Sequence, residues 1–194
     1  MTLIDSRTSY RPTARAVKPN ARTECSATCS ADLSDPAQLR RAFAHVPTPL
    51  ATAAAVIDGQ PTGMVLGSFV VHSLEPALVS VSIQASSRTW PLLRDAGRIG
   101  LSVLSEYNRH VIDAFYRPSG QRFDSLDYFT DGSAILFPDA SLHITAEIVE
   151  EITVGDHTMA ILQVADLSHH AGVGLDRPRP LVFHQSEVAT ATKW

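Results

Sequence analysis

Between Gly63 and Leu93 the chain passes through two strand-length apolar stretches into a helix start, and this succession constrains the fold most. Gly63 to Phe69 is apolar and short-chained, interrupted at Gly67 and Ser68, where bare backbone is open to a ligand. Leu78 to Ile83 is a β-branched run of strand length, bounded by Pro76 and by the polar Gln84-Ala85-Ser86. Ser86-Ser87-Arg88-Thr89 then opens a helix with hydroxyls and one guanidinium, the donor chemistry of a phosphate seat. Such a surface suits a flat ring with a phosphorylated tail.

The rest of the chain follows the same rhythm of short runs and turn signals. Asp35 as a cap and Pro36 in the first turn predict a helix, with Leu39, Ala42, Phe43 and Val46 as its apolar stripe. Leu50 to Ile57 predicts a buried strand, Asp58-Gly59 a hairpin turn, and Thr62 to Leu66 the returning strand. Val70 to Leu74 and Leu78 to Ile83 are the next strands, followed by a short helix from Trp90 to Ala96 with Thr89 as N-cap and Gly97 after its end. Ile99 to Leu104 predicts a strand, and Ser105 caps a helix through Phe115. Residues 117–138 carry several breakers and read as a lid or packed loop. Ser141 to Val154 alternates as a half-buried antiparallel strand, Gly155-Asp156 turns the chain, and Thr158 to Val164 pairs back. Ser168 to Arg179 is a loop, and Leu181 to His184 closes the fold. Many strands, short turns and few helices predict a mainly β, closed antiparallel barrel with a few short flanking helices.

Size and composition exclude several function classes. A chain of 194 residues with 44% hydrophobic and 19% charged residues is one soluble globular domain with room for a substantial core. A net charge of −4 gives no reason to expect nucleic acid or anionic lipid. No apolar run approaches the roughly 20 residues of a membrane helix, and the N-terminus has no apolar signal core, so the expected location is cytoplasmic. Residues 1–34 read as an arm, disordered or reaching across a dimer, ahead of a domain spanning 35–194. Cys25 and Cys29 form a Cys-x-x-x-Cys pair without a second ligand pair. The eight histidines include no His-x-x-x-His helix pattern, so no metal is expected.

Gly63-Met64 leading through Ser68-Phe69 to Ser73-Leu74-Glu75-Pro76, then Ser86-Ser87-Arg88-Thr89-Trp90-Pro91-Leu92-Leu93, then Gly155-Asp156-His157-Thr158, resembles the flavin reductase-like family. These are FMN-binding split-barrel proteins, the small partners of two-component flavin-dependent monooxygenases and halogenases. The resemblance runs from about Phe43 to His184. It implies an antiparallel split barrel, a homodimer, and an NAD(P)H:flavin oxidoreductase that uses NADH or NADPH to reduce FAD or FMN. The reduced flavin would pass to a separate oxygenase or halogenase.

The resemblance also implies site roles. Leu66, Gly67, Ser68 and Phe69 would form the strand edge along the isoalloxazine, and Ser86, Ser87, Arg88 and Thr89 would seat phosphate. His157 would lie beside the flavin and position nicotinamide, and Arg122 and Phe123 would contact the pyridine nucleotide. Each has a plainer reading: a strand bulge at Gly67, a capped helix start, an exposed histidine, a core Phe with a surface Arg. One departure stands out. Family members commonly carry Thr, Ala or Val, then Asn or Ser, before the Ser, whereas this chain has Val65-Leu66-Gly67-Ser68. Two side-chain hydrogen bonds to the flavin are then missing, which favours weaker binding or a flavin that leaves. The chemistry needs no nucleophile, because hydride transfer asks for stacked rings and excluded water. The alternatives are a non-catalytic flavin-binding or electron-transfer module, and a pyridoxamine-phosphate-oxidase-like enzyme on a related barrel, against which Gly-Asp-His speaks.

Overall fold

A computed structural model describes residues 30–171 and 177–192. Most of the expected arm (1–34), with Cys25 and Cys29, lies outside the described residues. Helix α1 (Pro36–Phe43) begins where expected, with Asp35 Oδ1 accepting from the Ala37 N–H at 2.8 Å. It buries none of its residues, and Phe43 and Val46 are 68% and 59% exposed. Its predicted apolar stripe is therefore largely exposed, with Leu39 alone half-buried.

Among the described residues, twelve strands follow in two sheets. β1 (Thr48–Pro49) leads into β2 (Ala51–Ile57) and β3 (Gln60–Leu66), which pair through a turn in which Asp58 and Gly59 both take positive φ, the geometry that matches strand twist. β4 (Val70–Leu74), β5 (Ala77–Gln84), the short helix α2 (Trp90–Arg94) and β6 (Ile99–Val103) come next. A 3₁₀ turn at Glu106–Asn108 enters α3 (Arg109–Phe115), with Ser105 supplying the expected cap. The stretch expected to be an irregular lid instead contains a hairpin, β7 (Phe129–Asp131) and β8 (Ala134–Leu136). β9 (Leu142–Val154) and β10 (His157–His169) form a 13-residue-per-strand hairpin, longer than expected on its return. The last described strands are β11 (Leu181–His184) and β12 (Glu187–Thr190), the latter absent from the sequence reading.

The large sheet runs β4-β5-β10-β9-β6-β2-β8-β7, with β3 on the other side of β2, and every pairing is antiparallel. It curls so that β3 approaches β5, and the seam is stitched by one side chain. Ser68 Oγ donates to the Ser82 carbonyl at 2.8 Å and accepts from the Ser82 N–H at 2.9 Å, standing in for a strand partner. Inside the curl lies a core of Ala51, Ala53, Leu66, Phe69, Val81, Trp90, Leu101 and Leu162. A second core, of Ala54, Leu104, Ile112, Phe115, Ile135 and Phe137, fills the space between the outer face of the sheet, α3 and β8.

Gly100 decides how close the two layers come. A Cβ there would sit 2.0 Å from the Ile135 carbonyl oxygen, so β8 lies directly on β6 because Gly100 has no side chain. Thr145, paired with Gly100, is consequently roofed over and 1% exposed, although strand alternation placed it on the solvent face.

Candidate functional site

β3 has one paired neighbour among the described residues, so its other edge presents backbone N–H and C=O groups along an open trough. Three adjoining pockets make up this trough. The first, about 420 Å³, lies in the barrel seam between Leu66, Gly67 and Ser68 on one side and Ser82, Ile83 and Gln84 on the other. Ser86, Ser87 and His157 complete its walls. It shares Met64, Val65 and Gly67 with a more apolar pocket of about 430 Å³ bounded by Ile112, Phe115, Phe183 and Val188. That pocket shares Thr89 and Arg122 with a polar chamber of about 890 Å³.

Two loops converge to bring these residues together. The Ala85 N–H donates to the Asp156 carbonyl at 3.0 Å, tying the chain before α2 to the β9–β10 turn. His157 opens β10 opposite Gln84 of β5, so it arrives beside Ser86 and Ser87. α2 is itself held to β9 by Glu151, which accepts from Trp90 Nε1 at 2.7 Å and pairs with Arg94 Nε at 2.8 Å. The helix cap differs from expectation. Thr89 already has helical angles and makes no capping bond, whereas Ser87 Oγ accepts from the Trp90 N–H at 3.2 Å. An αR residue cannot turn its side chain back onto the first turn, so the cap falls two residues earlier and leaves the Thr89 hydroxyl for the trough.

Asp156 is ionised and can only accept, so the 2.8 Å contact with His157 places the proton on Nδ1 and leaves Nε2 without a partner among the described residues. The Asp156 carboxyl is held below the ordinary carboxylate range by that hydrogen bond first, then by the charge of His157, with a smaller contribution from Arg40. Arg88 is exposed and makes no ion pair or hydrogen bond among the described residues.

Arg122 and Phe123 sit on the far wall. Arg122 donates through Nη1 to the Gly63 carbonyl at 3.1 Å and through Nε to the Arg117 carbonyl at 3.3 Å. Phe123 packs edge-on to Phe115 at 5.4 Å and stacks with Phe137 at 6.1 Å, entering where Gly63 leaves space. Both face the trough, yet both also hold the loop to the second core. Phe69 is the residue that the structure moves elsewhere. Its ring is 8% exposed in the barrel core, so it supports the strand edge from behind and does not line the trough.

Sequence reasoning missed Glu151, Thr62, Asp124 and the wall from β11–β12. Glu151 reads as one acid in a half-exposed strand, and only its contact with α2 across 61 residues gives it a role. Among the described residues, no group of three His, Cys, Asp or Glu could hold a metal ion. Among the described residues, no helix is long and apolar enough to cross a membrane.

The chain is similar in sequence and fold to known proteins. A probable flavin reductase of Rhizobium meliloti is 33% identical over 153 residues, covering 77% of this chain and 49% of that protein, so the chain spans about half of it. A flavin-dependent monooxygenase reductase subunit, HsaB, of Mycobacterium tuberculosis is 30% identical, with coverage of 79% and 81%. In fold, the chain is similar to an NADH:FAD oxidoreductase of Streptomyces globisporus solved with NAD and FAD fragments, at a TM-score of 0.76 and 24% identity over 85% of this chain and 98% of that one. Residues 43–192 match the flavin reductase like domain, and the chain belongs to that family.

Proposed function

We propose that this protein is an NAD(P)H:flavin oxidoreductase that reduces FAD or FMN and releases it to a separate flavin-dependent monooxygenase or halogenase. The observation that carries this reading is the convergence of the free β3 edge, the Ser86–Thr89 turn and His157 on one trough. The residues fit a flavin. A seam with an unpaired strand edge suits the hydrogen-bonding edge of a planar ring, and Arg88, without a partner among the described residues, beside the Ser86 and Thr89 hydroxyls suits a phosphate. When bound, flavin accepts hydride from the dihydronicotinamide.

The chain's own residues bind, orient and exclude water. Backbone groups of Leu66 to Ser68 would hold the ring edge, and such donors would need no reorganisation to stabilise negative charge there. His157, fixed by Asp156, offers Nε2 as a positioning contact for the nicotinamide carboxamide. Ile112, Phe115, Phe183 and Val188 supply an apolar wall that keeps water from the reacting faces. Because the Ser68 hydroxyl is committed to Ser82, side-chain hold on the ring is light, which suits a flavin that leaves after reduction. The protein acts as a homodimer in the cytoplasm. The exposed Val70, Val71 and Leu74 on the β4 edge, and the uncovered stripe of α1, are the surfaces a second copy would cover.

Anaerobic mixing with NADH or NADPH and excess FAD or FMN tests this. Catalytic bleaching of flavin absorbance is expected, with many turnovers per protomer. Stoichiometric binding without turnover would instead indicate a flavin-binding module.

A further inference from the structure

We propose that the polar chamber at the far end of the trough holds an adenosine 5′-phosphate unit, with Arg88 on its phosphate and Asp124 on an unphosphorylated ribose diol. This rests on the reductase reading only in that both NADH and FAD carry such a unit. The chamber, about 890 Å³, lies beyond the Ser86–Ser87 turn, on the side away from His157. It falls in the size range of roughly 300–1,000 Å³ typical of a complete small-molecule site. A mononucleotide whose phosphate stops at the α2 turn would leave it unfilled.

Its charges are what select the ligand. Arg88 comes from the start of α2 and Asp124 from the segment after the Ser119–Gln121 turn. Neither side chain makes a hydrogen bond or ion pair among the described residues, although both line one chamber. A ligand that is only anionic gains at Arg88 and loses at Asp124. One that carries a phosphate at one end and a pair of hydroxyls at the other satisfies both, since an ionised carboxylate accepts from two donors at once. The partly exposed Phe123 ring gives the base an apolar surface. Arg122 also reaches the chamber, but its Nε and Nη1 are turned to the Arg117 and Gly63 carbonyls. A 2′-phosphate would meet the Asp124 carboxylate, so the chamber discriminates against it.

Calorimetric titration of the full chain with 5′-AMP, 2′-deoxy-AMP and 2′,5′-ADP tests the site without relying on turnover. We expect 5′-AMP to bind and loss of one diol hydroxyl to weaken it about tenfold, the usual effect of losing a hydrogen bond to a charged group. The 2′,5′-ADP should bind more weakly still. Asp124→Asn should narrow the gap between 5′-AMP and 2′,5′-ADP by about tenfold, whereas Arg88→Gln should weaken all three alike. Failure of 5′-AMP to bind, or an unchanged gap between 5′-AMP and 2′,5′-ADP in Asp124→Asn, overturns the proposal. Steady-state kinetics then separate the two sources. A raised KM for NADH with FMN as acceptor in Asp124→Asn assigns the chamber to the pyridine nucleotide, and a raised KM for FAD but not FMN assigns it to the flavin. Absence of flavin reduction with the adenylate ranking intact would remove the reductase reading and leave this site. Normal reduction with no ranking would do the reverse.

Discussion

Replacing Gly100 with alanine tests the packing that supports the whole site. The added Cβ would lie 2.0 Å from the Ile135 carbonyl oxygen, 2.7 Å from its carbon and 2.8 Å from its nitrogen, against an ordinary contact that begins at 3.4 Å. All three contacts are backbone, so no side-chain rotation relieves them, and β8 must retreat by about 1.4 Å from the sheet. Ile135 and Phe137 are both fully buried, so the shift opens the second core as well as straining it. Overpacking typically costs about 1–3 kcal/mol, and a backbone clash of this depth belongs at about 3 kcal/mol. For a domain of this size that lowers the melting temperature by about 6–12 °C. Phe137 stacks on Phe123, so the displacement also reaches the wall of the trough, and flavin KM should rise with the loss of stability. Differential scanning calorimetry of Gly100→Ala beside Gly120→Ala, where an added Cβ meets nothing within 4 Å, isolates the effect. A Gly100→Ala protein melting within about 2 °C of the parent, less than the effect of 1 kcal/mol, would refute the account of how β8 sits on β6.

Ser68→Ala removes both bonds that close the seam and should cost about 1–3 kcal/mol in urea unfolding, with weaker flavin binding; an unchanged midpoint would show that the seam holds without it. His157→Ala should slow flavin reduction by about a hundredfold in stopped flow at saturating NADH, and Asp156→Asn, which leaves the ring in place, by less. Glu106 is held below its ordinary value of 4.5 by hydrogen bonds from the Arg179 side chain, then from its backbone N–H. A depressed carboxyl stabilises the fold above its unfolded pKa and loses that contribution as pH falls through the folded one. Glu106→Gln should therefore melt below the parent at neutral pH, with the gap closing on acidification below 4.5; a gap independent of pH would argue against the ion pair.

Most of the barrel was legible in local pattern. Asp58-Gly59, Asp35-Pro36, Ser105 and Gly155-Asp156 each use turn or cap chemistry that acts over a few residues, and each lies where that chemistry requires. The hairpin β7–β8 was not legible, because three-residue strands carry too few residues to show a period and Asp131 and Gly132 read as breakers. The Thr89 cap failed for a related reason: three hydroxyl residues within four positions, Ser86, Ser87 and Thr89, can each cap a helix and leave the choice to the backbone. Thr145 misled because alternation reports two faces but not whether a second layer covers one of them.

Taken alone, the order of residues determined that the chain forms antiparallel strands, where most of them turn, and which short motifs belong to a flavin-handling family. Tertiary structure alone decided that Phe69 points inward, that Ser68 closes the seam, and that Glu151 steadies α2 from β9. It also brought Arg88 and Asp124 to one chamber. The division is physical. Turns and caps are settled by dihedral preferences within a few residues, whereas a trough exists only where strands distant in sequence meet and one of them keeps an unpaired edge.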